Sequence, residues 1–307
     1  MDRQARRTRR LTMAVALNVA LAVVQVVSGL LAHSVALLSD AGHNVTDVAG
    51  LCVALVAVRW ALRPRSDQRS YGHHRGTILA ALANAAVIAV VTAGIIVAGL
   101  QRLAHPRPVH GTIVLAVAAA AFVINASVAA SLHEKSRDLN MRAAAVHMAA
   151  DAVASLAVAA AGVVLVVDPA LRWADPVASL GVGLLIIVEA YRIMRSSVAV
   201  LLESTPPDVD LKALTAAMAE VPDVAEVHDL HVWSLSSEVR ALSAHVVVAG
   251  HPTLEEAQVV GDRVKEAVGG PFAIAHSTLE LECERCVEGD DDPCLMDTLV
   301  PRPKARP

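Results

Sequence analysis

Two residue pairs with the same spacing have the types needed to bind a metal, His43 with Asp47 and His147 with Asp151. Residues four apart lie above one another on a helix face, so each pair presents an imidazole and a carboxylate to the same side. Two such helices side by side would supply two nitrogen and two oxygen ligands, which suits tetrahedral Zn²⁺. Imidazole ligands disfavour Mg²⁺ and Ca²⁺, and the absence of a thiolate from these faces argues against Cu(I). The spacing therefore predicts a site for Zn²⁺ or a similar divalent ion.

Both pairs lie inside long stretches of Ala, Val and Leu. An Asp at mid-depth in a bilayer costs about 2.5–3.5 kcal/mol on insertion scales, so two of them need a reason to be there. One reason is a hydrogen bond from each His to its own Asp, which lowers the cost of burial. The other is a shared cation whose two positive charges balance the two carboxylates, and the repetition of the same spacing in two segments favours it.

The elements that carry these pairs are predicted to be membrane-spanning helices. The 307-residue chain is 55% hydrophobic and 18% charged, whereas a soluble domain carries roughly 25% charged residues. The predicted class is therefore an α-helical membrane protein with six transmembrane helices. Six apolar segments are long enough to cross a bilayer: 11–31, 36–60, 77–100, 111–132, 143–167 and 175–200.

Basic residues predict the orientation of these spans. The connections after spans two and four are rich in Lys and Arg, and the other connections contain few. The positive-inside rule then places both termini in the cytoplasm, and we expect the protein in the plasma or inner membrane. The Arg-rich residues 1–10 directly precede the first span, so we interpret them as a topology signal and predict no nucleic-acid partner.

The chain changes character after the sixth span. The segment 204–287 has helix and strand patterns in the order αββαβ, including a capping box at Thr253 that opens a helix. This order suits a small α/β domain with helices on one face of a sheet. We therefore predict a basic N-terminus at 1–10, a membrane domain at 11–203, this cytoplasmic domain at 204–287 and a disordered tail at 288–307.

Four segments carry a resemblance to a known family. LLSDAGHNVTDVAGL (37–51), YGHHRGTILAALAN (71–84), HMAADAVAS (147–155) and VHDLHVWSL (227–235) resemble the cation diffusion facilitator family, and the likeness extends over about residues 11–285. The resemblance implies six helices followed by a metallochaperone-like αββαβ domain. It also implies a homodimeric antiporter that exchanges divalent metal for protons, of the zinc-transporting branch, with the metal held by the two His/Asp pairs.

Further metal sites are predicted less directly. The resemblance implies a regulatory metal in the cytoplasmic domain, for which His245 and His276 are the preferred ligands, followed by His231 and Glu282; solvated strand histidines are the alternative. Strand alternation places His276 and Glu282 on one polar face.

A loop site with Asp67 and His73 is weaker, because Arg69 stands where some relatives offer another His, and a basic solvated loop is the favoured alternative. Cys283-x-x-Cys286 alone is a weak zinc signal, since four ligands are needed. We predict no organic cofactor.

Several polar residues inside the spans leave alternatives open. Asp40, three residues before His43, either orients a metal ligand or lies near the membrane interface. For the other intramembrane polar residues, interhelical hydrogen bonding is favoured over contact with the cargo: Asn18, Gln25, Asn84 and Asn125.

Two other functions compete with transport. An intramembrane metal-dependent hydrolase would need a general base such as that of a His-Glu-x-x-His string, which the sequence lacks, so we predict no enzyme. A membrane-anchored metal sensor would explain the cytoplasmic domain but not two carboxylates in facing spans. Transport explains both halves of the chain. Because Zn²⁺ needs neutral imidazole and ionised carboxylate, protons and metal would compete for the same atoms.

Overall fold

A computed structural model describes residues 3–61, 63–133, 139–237 and 239–284. It contains six long helices, which confirms the predicted helical class: α1 Arg3–Ala32, α2 Val35–Ala61, α3 Arg75–Ala104, α4 Gly111–His133, α5 Leu139–Val167 and α6 Ala174–Leu201. Five of them agree with the predicted spans to within four residues. Helix α1 begins eight residues before the predicted first span, because a helix can continue past its apolar segment into the Arg-rich residues. Cys286 and the predicted tail at 288–307 lie outside the described residues.

The helices have the length and composition of membrane spans. Among the described residues, α2 to α6 are each long and apolar enough to cross a bilayer, and α1 adds the apolar segment Ala16–Ala32. Large aliphatic side chains remain exposed on the bundle, such as Val90 at 73% and Val56 at 67%. Exposed apolar surface of this kind is what a helix presents to lipid, because its backbone groups are already paired internally.

Small residues allow α4 and α5 to approach closely. A Cβ added to Gly162 on α5 would lie 2.6 Å from the backbone nitrogen of Leu115 on α4, too close for any other residue. Gly111 at the start of α4 meets Leu165 in the same way, at 2.7 Å. Close approach through small residues is typical of membrane helix pairs, and here it fixes the position of α5, which carries one His/Asp pair.

The other helix with a His/Asp pair, α2, is held at its first turn by α6. Asp175 on α6 is buried and accepts hydrogen bonds from the backbone N–H of Val35 at 2.8 Å and of Ala36 at 3.4 Å, and from the Ser34 hydroxyl. The first N–H groups of a helix have no partner inside the helix, so a carboxylate from a neighbouring helix satisfies them. The contact anchors the start of α2 within the bundle.

The C-terminal domain has the predicted αββαβ order. Helix α7 spans Leu211–Ala219, strand β1 Val224–Ser234, strand β2 Arg240–Val248, helix α8 Leu254–Gly269 and strand β3 Ile274–Glu282. The sheet order is β1-β2-β3, with β1 antiparallel and β3 parallel to β2. Leu214, Met218, Leu242, Val246 and Val264 are fully buried between the helices and one sheet face.

The predicted capping box is present: Thr253 and Glu256 exchange hydrogen bonds at the start of α8. The chain separates into two compact units, one of residues up to Trp60 with Leu79–Ser196, the other of Ala61–Ile78 with the residues from Ser197 onward. The second unit therefore includes the connection between α2 and α3 as well as the C-terminal domain.

Candidate metal-binding sites

The structure brings the two His/Asp pairs of α2 and α5 together. Nε2 of His43 lies 3.2 Å from Oδ1 of Asp151 and 3.5 Å from Oδ2 of Asp47. Nε2 of His147 lies 3.2 Å from Oδ2 of Asp47 and 3.7 Å from Oδ2 of Asp151. Each histidine therefore faces both carboxylates, one on its own helix and one on the other. We call these four residues the intramembrane cluster.

The spacing of the intramembrane cluster fits one small cation. A tetrahedron with metal–ligand bonds of about 2.0–2.1 Å has edges of roughly 3.3–3.5 Å between ligand atoms. The four nitrogen–oxygen distances, 3.2 to 3.7 Å, lie close to that value, with Asp151 using Oδ1 toward His43 and Oδ2 toward His147. His43, Asp47 and Asp151 each place one ligand atom within 4.8 Å of the others, and this group of three does not include His147. Oδ2 of Asp47 and Oδ2 of Asp151 are buried and form no hydrogen bond of normal geometry within the described part of the chain. Their lone pairs are therefore available to a cation.

Burial is uneven across the intramembrane cluster. The side chain of Asp151 is 2% exposed and that of His43 is 11% exposed, whereas Asp47 is 26% and His147 is 39% exposed. A buried, ionised carboxylate needs a positive partner, and either a protonated imidazole or a metal ion supplies one. His147 is the most exposed of the four side chains, and Asp151 is the one most enclosed by protein.

A second group of ligands lies on the polar face of the C-terminal sheet. Nε2 of His228 lies 3.0 Å from Oε2 of Glu282, and Nδ1 of His245 lies 2.7 Å from Oε1 of the same carboxylate. The two imidazole rings are 5.1 Å apart between centroids. One ligand atom from each residue falls within 4.8 Å of the others, which suits three ligands of a single metal. We call these three residues the sheet cluster.

A β-bulge aligns the histidines of β1. His228 is paired with His245, but His231 is paired with Ser243, so β1 has one extra residue between the two pairs. Asp229 within this bulge has a φ of 46°. Without the bulge, residues three apart would point to opposite faces of the sheet; with it, His228 and His231 share the polar face. His231 then pairs with Asp229 at 2.9 Å beside the cluster.

The remaining predicted ligands lie elsewhere. His276 pairs with Ala241 in the sheet and packs its ring edge-on against Tyr71, with centroids 5.8 Å apart, away from the sheet cluster. Asp67 is exposed at the tip of a turn between Ser66 and Arg69, and no group of three ligands among the described residues includes it or His73. His276 is a preferred ligand in the sequence-based prediction, but in the structure it is His228 that lies beside His245 and Glu282.

Sequence reasoning missed two features near the intramembrane cluster. Glu189 lies in the middle of α6 and interacts electrostatically with His147; an acidic residue inside a span was the available signal. Ser155 joins Asp40 and Gln25 in a buried hydrogen-bond network. A single serine in an apolar helix gives no sequence signal for such a network.

The sequence matches known transporters over most of its length. Zinc transporter ZitB of Escherichia coli is 35% identical over 284 residues, 91% of this chain and 88% of the relative. Metal cation efflux system protein CzcD of Cupriavidus metallidurans is 33% identical over 285 residues, 92% and 89% of the two chains. The cadmium, cobalt and zinc/H(+)-K(+) antiporter of Bacillus velezensis is 31% identical over 283 residues, 91% and 90% of the two chains.

Two family models match successive parts of the chain. Residues 11–202 match the cation efflux transmembrane domain, and residues 206–284 match the cytoplasmic domain of cation efflux proteins. The matches agree with a bundle of apolar helices followed by a small domain with a three-stranded sheet. The chain is therefore an integral membrane protein of the cation efflux, or cation diffusion facilitator, family, and it is a metal-cation transporter rather than an enzyme.

Proposed function

We propose that the protein exports Zn²⁺ from the cytoplasm in exchange for protons and that the intramembrane cluster holds the ion during transport. The supporting observation is the set of four nitrogen–oxygen distances of 3.2 to 3.7 Å among His43, Asp47, His147 and Asp151. Relatives named as transporters of zinc, cadmium and cobalt support the choice of cargo. Two imidazoles and two carboxylates favour Zn²⁺ within that group.

The chemistry of the ligands supports proton exchange. Zn²⁺ binds neutral imidazole and ionised carboxylate, so a proton on any of the four residues competes directly with the ion. With Zn²⁺ bound, two carboxylates balance its charge; without it, protonated histidines beside Asp47 and Asp151 do the same. A site that loads metal on one side and protons on the other therefore avoids leaving Asp151, 2% exposed, with an unbalanced charge.

We further propose how the chain is oriented in the membrane, how it divides into domains and how it associates. Both termini lie in the cytoplasm, and the membrane is the plasma or inner membrane, because basic residues concentrate after spans two and four. Residues 11–203 form the transport domain and 204–287 the cytoplasmic domain. Two copies associate as a homodimer, an expectation supported by the match to the family's cytoplasmic domain.

The sheet cluster is proposed as a regulatory metal site. His228, His245 and Glu282 provide two nitrogens and one carboxylate oxygen on a half-buried sheet face. Three protein ligands leave a position open, and Asp229, whose Oδ2 lies 3.6 Å from Nε2 of His245, is close enough to contribute. A bound metal would draw β1, β2 and β3 together at one point.

A metal sensor without transport is the alternative function. The sheet cluster alone would be enough for a sensor. A sensor would not explain why Asp151 is buried in the helical domain, which matches the transmembrane domain of cation efflux proteins.

Zinc uptake into proteoliposomes separates the two functions. Under an imposed pH gradient we expect wild-type flux that follows the gradient and disappears in Asp151→Ala. A second variant, Glu189→Gln, removes the charge of another carboxylate in a membrane helix. Membrane insertion and dimerisation of each protein are measured to check that it is folded. Absence of wild-type flux for Zn²⁺, Co²⁺ and Cd²⁺ in folded protein would contradict transport, and undiminished flux in Asp151→Ala would contradict the assigned site.

A further inference from the structure

A buried hydrogen-bond network lies next to the intramembrane cluster. Asp40 is 1% exposed, and its Oδ2 accepts hydrogen bonds from Nε2 of Gln25 at 2.5 Å and from Oγ of Ser155 at 3.1 Å. Oε1 of Gln25 accepts a further hydrogen bond from Nδ2 of Asn44 at 2.7 Å. All four side chains are at most 3% exposed. We call Gln25, Asp40, Asn44 and Ser155 the Asp40 network.

The Asp40 network joins α1, α2 and α5, the last two being the helices that carry the metal ligands. Asp40 lies three residues before His43 on α2, and Ser155 lies four residues after Asp151 on α5. At a rise of about 1.5 Å per residue, the bond between Asp40 and Ser155 therefore crosses between the helices only about 4.5–6 Å along the axes from those ligands. Asp40 also interacts electrostatically with both His43 and Asp151.

This placement bears on the size of the metal site. Two of the four nitrogen–oxygen distances join a residue of α2 to one of α5, at 3.2 Å each. They depend on the separation of the two helices and on their rotation about their own axes. Packing of the helices sets both, and the hydrogen bond of 3.1 Å between Ser155 and Asp40, about one turn from the ligands, adds a directional restraint between α2 and α5.

The network is not a general feature of buried serines in this bundle. Ser179 on α6 is as completely buried as Ser155, both at 0% exposed, yet its hydroxyl has no hydrogen-bond partner among the described residues. Asp40 is also an expensive residue to bury in a membrane, so its place beside the ligands needs a role that an apolar side chain would not fill. Its position one turn from the ligands on both helices is what a positioning role needs.

We propose that the Asp40 network sets the spacing of α2 and α5 and thereby tunes the intramembrane cluster to Zn²⁺ over larger divalent ions such as Cd²⁺. The inference rests on the proposed transport site and adds to it the four residues of the network, which position the ligands and do not touch the ion. Gln25 and Ser155 hold Asp40 from the neighbouring helices, and Asp40 holds α2 in register with α5.

The first test compares two buried serines in full-length protein in proteoliposomes. Ser155→Ala is expected to raise the KM for Zn²⁺ by about tenfold, to change kcat by less than about twofold, and to raise the ratio of Cd²⁺ to Zn²⁺ flux. Ser179→Ala, which removes a hydroxyl of equal burial without a partner, is expected to leave all three values unchanged. Equal effects of the two substitutions, or none from Ser155→Ala, would overturn the proposal.

The second test asks whether the hydrogen bonds of Asp40 matter. Asn offers a carbonyl oxygen that accepts the bonds from Gln25 and Ser155, so Asp40→Asn should keep the Zn²⁺ preference, while Asp40→Leu should lose it. Equal loss in both variants would overturn the positioning role, because it would show that the charge of the carboxylate, rather than its hydrogen bonds, is required.

These tests separate the inference from the proposed function. If wild-type protein carries no Zn²⁺, the proposed function fails. If wild-type protein carries Zn²⁺ and loses flux in Asp151→Ala, but Ser155→Ala keeps the wild-type KM and metal preference, the transport site stands and the positioning role fails.

Discussion

The intramembrane cluster and the sheet cluster use the same ligand types, imidazole and carboxylate, on different supports. The first is assembled from two helices, and its ligand Asp151 is 2% exposed beside a network of further buried polar groups. The second lies on the polar, half-buried face of a sheet, with His228 at 15%, His245 at 14% and Glu282 at 9% exposed.

The difference fits the separate roles that we propose for the two clusters. Helices that are held together by side-chain contacts can change their relative position, which a transport site requires. Strands that share a backbone hydrogen-bond ladder hold their residues at fixed spacing, which suits a site that binds and stays bound. The following predictions test that contrast.

The largest expected difference is in transport after loss of one carboxylate from each cluster. Asp47→Ala should reduce Zn²⁺ flux at least about 100-fold, because it removes a ligand and leaves its partner charges unbalanced. Glu282→Ala should change flux by less than about threefold, since the sheet cluster holds no transported ion. Proteoliposome flux at matched protein density measures both, and a loss in Glu282→Ala as large as that in Asp47→Ala would remove the distinction between the clusters.

Metal content distinguishes two histidines of the C-terminal domain. His228→Ala should weaken zinc binding at the sheet cluster by about 10- to 100-fold, as loss of a metal-site residue does, and His276→Ala should leave it unchanged. The measurement is a zinc titration of full-length protein that carries Asp151→Ala, which removes binding at the intramembrane cluster. Weaker binding in His276→Ala together with unchanged binding in His228→Ala would show that His276, and not His228, is a ligand.

Acid should weaken the intramembrane cluster steeply. Imidazoles that gain protons in acid must lose them before Zn²⁺ binds. We therefore expect the apparent affinity of the cluster for Zn²⁺ to fall at least about tenfold per pH unit once the pH decreases into the range where these imidazoles are protonated. Equilibrium titrations in a Glu282→Ala background isolate the cluster, and an affinity independent of pH would contradict competition between metal and protons.

The smallest expected effect concerns the capping box of α8. The backbone N–H of Thr253 donates to the Glu256 carboxylate at 2.8 Å, which lowers the pKa of that group. Because the folded-state pKa is depressed, the capping interaction is present above the ordinary pKa of Glu and is lost as the pH falls through the lowered value.

Thr253→Ala should therefore speed amide hydrogen exchange in α8 by about fivefold at neutral pH and leave Zn²⁺ flux unchanged. A matched substitution outside the cap, Val259→Ala on the exposed face of α8, is the control. Exchange rates that the two substitutions alter equally would show that the box does not stabilise the helix.

Much of the fold follows from the sequence because the physical signals are strong and local. Long apolar segments predicted five of the six helices to within four residues and the end of α1 to within one, and the Thr253 capping box predicted the start of α8. The identical spacing of the two His/Asp pairs was enough to predict that the four side chains come together, since helix periodicity fixes which face they occupy.

The parts that the sequence did not indicate depend on register and rotation. His276 lies four residues before Glu280, the partner of His245, and at about 3.3 Å per residue this places it about 13 Å along the strand. Strand prediction assumes that side chains alternate between faces, so it does not reveal the one-residue bulge that turns His228 and His231 to the same face. The bond between Asp40 and Ser155 depends on how α2 and α5 are rotated, which the apolar pattern of each helix leaves open.

X-ray absorption at the zinc edge tests the central claim most directly. Full-length protein with His228→Ala and His245→Ala, loaded with one Zn²⁺ per chain, should show four nitrogen or oxygen ligands at about 2.0–2.1 Å, including two imidazoles. The same shell should be absent when Asp151→Ala is added. A six-coordinate oxygen shell, or a four-ligand shell that persists without Asp151, would contradict the assignment of the transport site to His43, Asp47, His147 and Asp151.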